Sequence, residues 1–411
     1  MARRKVDHLL IGGGLAAANC ARWLREEGAD GSVLLVGREF DPPYNRPPLS
    51  KGYLQGKESK ADALFRPDEW WDEQRIELMT RTSVMKLDTA ERVATLSTKD
   101  EIEFGTALVA TGANVRRVRV DGCDLDGIHY LRAFANSEAI RADAGQAERA
   151  VLIGGSYIGC EVAASLTAAH GVKCSIVMLE DVTLERQFGP EIGRFFQDAL
   201  TEHGVEVHGG DELERFEGSD GRVNKVVTKN GLQLDCDMVV VGVGVMPDVM
   251  LAKAAGLEIG ESGGVKCSSR LESSVPGIYA AGDICEYESK PHGARLRLEH
   301  WDVAFNHGKT AALNMLGREV DHEVVPYFFS DLADWASFEY VGPGSGDLVV
   351  RGSLEDGEFT AFFVHEEEGH VVSALTVGRS DDLEHARRFI TERAKPEPQH
   401  LADEGTDLGE L

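Results

Sequence analysis

VDHLLIGGGLAAANCARWLREEG occupies residues 6–28 and decides the fold. Val6 to Ile11 is a short apolar strand, Gly12 to Gly14 a glycine turn, and the stretch from Leu15 onward an amphipathic helix. SVLLVGRE at 32–39 supplies a second buried strand and completes a β-α-β unit. The turn matches Gly-x-Gly-x-x-Ala. In such a turn Gly12 permits the sharp bend, Gly14 lets backbone approach a pyrophosphate, Leu15 opens the helix, and Ala17 lets helix and strand pack closely. The helix N-terminus then faces the phosphates. An acidic residue that binds ribose should close the second strand. Glu39 is the candidate there, with Arg38 an unexpected neighbour.

A second copy follows about 140 residues on. AVLIGGSYIGCEVAASLTAAHG at 150–171 is strand, turn and helix, and CSIVMLE at 174–180 is the next strand. Its turn, Gly154-Gly155-Ser156-Tyr157-Ile158-Gly159, fits Gly-x-Gly-x-x-Gly with Ser156 for the middle glycine. Serine is small, so close approach is hindered only slightly. Glu180 lies 21 residues after Gly159 and ends its strand. A carboxylate there accepts hydrogen bonds from both ribose hydroxyls and repels a 2′-phosphate, which favours NADH over NADPH. Two dinucleotide folds in one chain point to FAD in the first and NAD in the second, with hydride passing between them.

Composition narrows the field. The chain has 411 residues, 42% hydrophobic and 27% charged, as expected of a globular protein of two or three domains. Its 43 Lys and Arg face 70 Asp and Glu, a net charge of -27 that disfavours a nucleic-acid partner. No apolar run is long enough for a membrane span, and the N-terminus lacks the features of a signal peptide. Seven scattered Cys without a Cys-x-x-Cys read as reduced thiols in a cytoplasmic protein, with no metal site. From 341 to 411 there are 16 acidic and 6 basic residues, and 396–411 is expected to be a mobile acidic tail.

Further motifs run in order: PYNRPPLSKGYL at 43–54, ALVATGA at 107–113, VLIGGSYIGCE at 151–161, VVVGVGVMPD at 239–248, GIYAAGD at 277–283 and RLEHW at 297–301. Read alone, the prolines of RPPLSK stiffen a turn and Ser50 can cap a helix, but two cations remain unexplained. Together these motifs resemble the flavoprotein ferredoxin reductase family, which includes rubredoxin and putidaredoxin reductases and the apoptosis-inducing factors.

The resemblance implies an α/β protein with two Rossmann-like dinucleotide-binding domains (FAD and NAD) plus a C-terminal α+β domain. The expected boundaries are 1–115 with 240–325 for FAD, 116–239 for NAD and 326–395 for the interface domain. It implies that Arg46 binds FAD and that Lys51 sits beside flavin N5, where a fixed ammonium stabilises negative charge on the reduced ring. Lys51 pairs in the family with a glutamate of the second glycine motif, here Glu161. Asp283 would bond the ribityl chain. Ala110, Thr111 and Gly112 would give a backbone turn near the flavin, and Val84 and Arg132 further FAD contacts. Gly242 and Gly244 would let backbone approach the nicotinamide cofactor. Glu299, His300 and Trp301 would line the flavin edge. Where relatives carry Phe-Trp-Ser-Asp, this chain has Phe328-Phe329-Ser330-Asp331, so Phe329 keeps an aromatic wall without an indole N–H.

No Cys lies where thiol-dependent relatives carry one, and Cys20 falls inside the first helix, which argues against a thiol mechanism. The expected activity is an FAD-dependent NADH reductase that passes electrons singly to a ferredoxin or rubredoxin serving an oxygenase, as monomer or homodimer. Two alternatives stand beside it. One is an apoptosis-inducing-factor-like module that responds to NADH; the other is an NADH oxidase.

Overall fold

The computed structural model describes residues 3–411; the first two residues of the expected 1–115 segment lie outside them. Two compact units form. One comprises Met1–Asn45, Leu64–Asn114 and Met246–Phe328; the other comprises Arg46–Ala63, Val115–Val245 and Phe329–Leu411. Segment Arg46–Ala63, expected within 1–115, thus groups with the second unit. Hydrogen bonds explain why. Ser137 donates to the Leu49 carbonyl at 2.8 Å, Ser165 to that of Ser50 at 2.7 Å, and the His170 ring to that of Leu54 at 2.9 Å.

In the first unit, β1 (Arg3–Ile11), α1 (Leu15–Glu26) and β2 (Val33–Val36) realise the first glycine motif. The sheet runs Ile76–Met79, β2, β1, Glu101–Val109, Val93–Leu96, Val84–Asp88, and Ile278–Ala280 pairs with Glu101–Val109. β1 is parallel to both neighbours. Leu9, Leu10 and Ile11 are all buried, the continuous apolar run of a strand covered on both faces. The helix Trp301–Met315 packs on α1 at close range: a Cβ on Gly308 would lie 2.6 Å from the Ala16 carbonyl oxygen. Cys20 is buried in α1, as the helical pattern implied.

In the second unit, β3 (Arg149–Ile153), α2 (Tyr157–His170), β4 (Lys173–Val177) and α3 (Glu185–Glu202) repeat the arrangement. The five-stranded parallel sheet is ordered Glu206–His208, β4, β3, Met238–Val241, Ile128–His129. α3 breaks at Gly189, which has φ 77°, just before Pro190.

The C-terminal sheet is ordered Tyr327–Leu332, Ala336–Val341, Val371–Val377, Glu358–Val364, Asp347–Ser353. It meets α3 through aromatic rings: Phe188 lies 5.3 Å from Phe338 and Phe195 lies 5.0 Å from Phe359. The expected mobile tail at 396–411 is folded instead. Pro398–Ala402 is helical, Leu401 and Leu408 are buried, and the Arg351 guanidinium donates to the carbonyls of Asp403 at 2.5 Å and Thr406 at 3.0 Å. Two apolar anchors and one buried cation outweigh the acidic composition. Among the described residues no helix is long and apolar enough to cross a membrane. All seven cysteines are unpaired, and six are buried.

Candidate functional site

The first glycine turn separates two demands. Gly12 has φ +129°, and a Cβ there would lie 2.1 Å from the Ala110 carbonyl oxygen, so the fold itself requires glycine. Gly14 is the N-cap of α1 at φ -92°, a conformation open to any residue, and a Cβ there would meet nothing within 4 Å. No side chain caps the helix, so its first N–H groups face open space. Leu15 and Ala17 are buried beneath the turn.

Around that turn the predicted residues converge only in part. Ala110 N donates to the Ile11 carbonyl at 2.8 Å, which ties ALVATGA to β1. Thr111 Oγ1 donates to the Asp248 carbonyl at 2.7 Å, and Gly112 has φ +69°. Glu39 follows β2 and accepts from the Tyr44 hydroxyl at 2.5 Å. Arg38, unexpected from sequence, donates to Asp248 at 2.8 Å and Asn114 at 2.7 Å, so it braces the chain entering and leaving this unit. Val84 opens its antiparallel strand half-buried.

Asp283 lies in the short turn Gly282–Ile284, and its carbonyl accepts from Arg297 at 3.1 Å. Glu299 accepts from Arg297 at 2.6 Å. Trp301 Nε1 donates to Asn45 at 2.9 Å and its ring stacks on Phe305 at 5.3 Å. His300, before that helix, packs 4.7 Å from Phe328. Burial pushes its imidazole down to about 4, with Asp283 opposing, so the ring is neutral near pH 7. Among the described residues its Nδ1 is buried without a hydrogen-bond partner. The open, uncapped turn and this unsatisfied nitrogen both fit a bound dinucleotide such as FAD.

The second unit holds the charged centre. Lys51 Nζ lies 2.5 Å from Glu161 Oε1, with side-chain exposures of 14% and 3%. Ser330 Oγ donates to the same oxygen at 2.6 Å, and Ser50 Oγ donates to Oε2 at 2.5 Å. A carboxylate withdrawn from water needs such partners. The expected pair therefore exists, and two serines complete it. Ser50 ends the turn Pro47–Ser50, so its hydroxyl serves Glu161 where sequence indicated a helix cap. Ser330, 169 residues from Glu161, was visible only as part of Phe-Phe-Ser-Asp. Phe329 gives its ring to the Lys51 ammonium at 5.5 Å. A cavity of about 260 Å³ opens beside Lys51, lined also by Lys57, Glu58 and Asp331. Burial raises the Asp331 carboxyl, opposed by the Lys51 charge and aided by Glu161. Arg46 donates to the Arg132 carbonyl, so these two predicted residues meet each other.

The second glycine turn is tighter than the first. Gly154 has φ +108°, and a Cβ there would lie 2.4 Å from the Gly242 carbonyl oxygen. A Cβ on Gly159 would lie 1.9 Å from the Gly154 carbonyl oxygen. Ser156 is the N-cap of α2 at φ -92°, the same conformation as Gly14, and makes no side-chain cap bond. Tyr157 packs against Phe188 at 6.1 Å and Phe338 at 6.2 Å, while Ile158 is 39% exposed. Glu180 meets Arg186 at 3.1 Å. Gly244 has φ +92° and its carbonyl accepts from Arg116 N at 2.9 Å.

Residues 6–308 match the family described as pyridine nucleotide-disulphide oxidoreductase, and 327–411 match the reductase C-terminal family. The 5,5′-dehydrodivanillate O-demethylase ferredoxin reductase subunit of a Sphingobium strain is 33% identical, with 98% of each chain covered. The crystal structure of the ferredoxin reductase for the CYP199A2 system from Rhodopseudomonas palustris is 32% identical with TM-score 0.93, covering 98% of this chain and 99% of that one. The reductase in the covalent putidaredoxin reductase–putidaredoxin complex is 30% identical with TM-score 0.92, covering 98% and 97%. Two glycine turns between parallel strands, a buried Lys–Glu pair and these full-length likenesses place the chain in the pyridine nucleotide-disulphide oxidoreductase family, with a reductase C-terminal domain.

Proposed function

We propose that this protein is an FAD-dependent NADH reductase that delivers electrons singly to a small iron–sulfur protein, a ferredoxin or rubredoxin, which in turn serves an oxygenase. The observation that carries this reading is the likeness, over nearly the whole chain, to ferredoxin and putidaredoxin reductases. When bound, FAD supplies hydride acceptance and one-electron release, chemistry that side chains lack.

The chain's own residues bind, orient and neutralise. We assign the pyrophosphate of FAD to the α1 N-terminus over Gly12 and Gly14, its ribose to Glu39, and its remaining contacts to Arg46, Val84, Ala110–Gly112, Arg132, Asp283, Glu299, His300, Trp301 and Phe329. NADH is assigned to Gly154, Ser156, Tyr157, Ile158 and Gly159, with Gly242 and Gly244 behind them and Glu180 on its ribose. Lys51, held by Glu161, is the fixed cation we assign to the charge that builds on the reduced ring. No side chain acts as a nucleophile. The buried, unpaired cysteines support a cytoplasmic setting.

Anaerobic NADH should bleach a yellow preparation, and cytochrome c reduction should become rapid only when a [2Fe–2S] ferredoxin is added. Rapid oxygen uptake without ferredoxin would overturn the reading in favour of an oxidase. Lys51→Met should retain FAD yet slow flavin reduction by at least roughly tenfold, about 1.4 kcal/mol. Wild-type rates in that variant would remove Lys51 from the mechanism.

A further inference from the structure

Glu161 accepts from Lys51 and Ser330 on Oε1 and from Ser50 on Oε2. Ser50 neighbours Lys51 and sits on the same short segment. Ser330 does not: it comes from the C-terminal sheet and is itself buried. We propose that Ser330 is a positioning residue, through which the C-terminal domain fixes the Glu161 carboxylate and thereby the pose of the Lys51 ammonium. The inference rests on the role assigned above to Lys51 and deepens it.

The physical case has three parts. A lysine head is a compact charge on a flexible four-carbon stem, so its position is set by what it binds. Its partner Glu161 is a nearly fully buried carboxylate whose terminal torsion is soft, so hydrogen bonds must fix its plane. Ser330 Oγ, at 2.6 Å on the oxygen that Lys51 uses, supplies that constraint. Without it the carboxylate keeps the Ser50 bond and can turn about it, carrying the ammonium along. The Phe329 ring beside the ammonium belongs to the same strand as Ser330, so one segment touches both the cation and its carboxylate partner.

The test compares holoenzyme variants anaerobically, reading NADH-driven flavin bleaching by stopped flow and the flavin midpoint potential by dye equilibration. Ser330→Ala should stay folded and yellow, bleach about tenfold more slowly, and show a potential lower by about 30 mV, the two-electron equivalent of tenfold. Ser330→Thr, which keeps the hydroxyl, should recover most of both. In a Glu161→Gln background the same Ser330→Ala change should add less than about twofold, because its effect runs through Glu161. Should Ser330→Ala misfold, Ser330→Cys, similar in size with a weaker donor, should give the same signs at smaller amplitude. Wild-type rate and potential in the Ser330 variants while Lys51→Met is impaired would overturn the inference and leave the function standing. A full Ser330→Ala effect in the Glu161→Gln background would also overturn it, since Ser330 would then act independently of the pair. If Lys51→Met and Glu161→Gln both match wild type, the role of the cation fails and the inference with it.

Discussion

The two glycine turns follow one pattern and solve different problems. Both begin with a glycine that the fold needs: a Cβ at Gly12 would lie 2.1 Å from a carbonyl oxygen, and one at Gly154 2.4 Å. They part at the middle position. Gly14 and Ser156 share φ -92°, so backbone strain distinguishes nothing there. What Gly14 preserves is room above the helix end. At the third position the order reverses: Ala17 is accommodated in the first turn, while a Cβ on Gly159 would lie 1.9 Å from the Gly154 carbonyl oxygen. A glycine in such a motif can thus be kept for the chain or for its ligand, and geometry tells the two apart.

Four measurements would break or sharpen that contrast. The largest effect is expected at Gly12→Ala, which should cost more than about 3 kcal/mol in thermal unfolding, whereas Gly14→Ser should leave stability within about 0.5 kcal/mol and weaken FAD retention instead. Equal destabilisation by both changes would erase the distinction.

Second, the unit bearing the first turn contains three neutral imidazoles, the buried His307 and His322 and the half-buried His300. Burial lowers all three, with His300 and His322 pushed down to about 4. The unfolded chain protonates these rings near pH 6.5 and the folded one resists, so stability is full above that pH and falls between about 6.5 and 4. A loss of up to about 3 kcal/mol for His322 is the expected scale. Acid titration followed by flavin release should therefore begin near pH 6; a flat response down to pH 4 would contradict it.

Third, Glu180→Arg should shift the NADPH-to-NADH ratio of kcat/KM upward by about tenfold or more, roughly 1.4 kcal/mol. Arg186 already lies beside Glu180 and would be freed to meet a 2′-phosphate. An unchanged ratio would move ribose recognition elsewhere. The smallest effect belongs to Ser156→Gly, expected to lower KM for NADH by about twofold with stability changed by less than about 1 kcal/mol. A larger gain in affinity would mean that the serine, unlike Gly14, obstructs its ligand.

Much of this was legible in the chain because the decisive signals are local. Strand, glycine turn and helix at 6–28 and again at 150–171 fall where spacing put them. The pairing of Lys51 with Glu161 came from family resemblance, since nothing in their spacing announces it. What escaped reading depends on contacts between distant residues. Arg38 finds Asp248 across 210 positions, and Ser330 finds Glu161 across 169. The acidic end of the chain looked unstructured because composition sums over residues, whereas folding there turns on Leu401, Leu408 and the reach of Arg351. Ser50 resembled a cap because a hydroxyl after two prolines commonly is one.

The division of the chain also bears on synthesis. Its two units alternate along the sequence, with Arg46–Ala63 interrupting one and Met246–Phe328 interrupting the other. Neither can therefore close while the ribosome is still early in the message: the first waits for Phe328 and the second for the final residues. No single cut yields a separable half, so shuffling modules between relatives demands several crossovers, and a graft of the first unit's pieces alone leaves Lys51 to be supplied by the recipient.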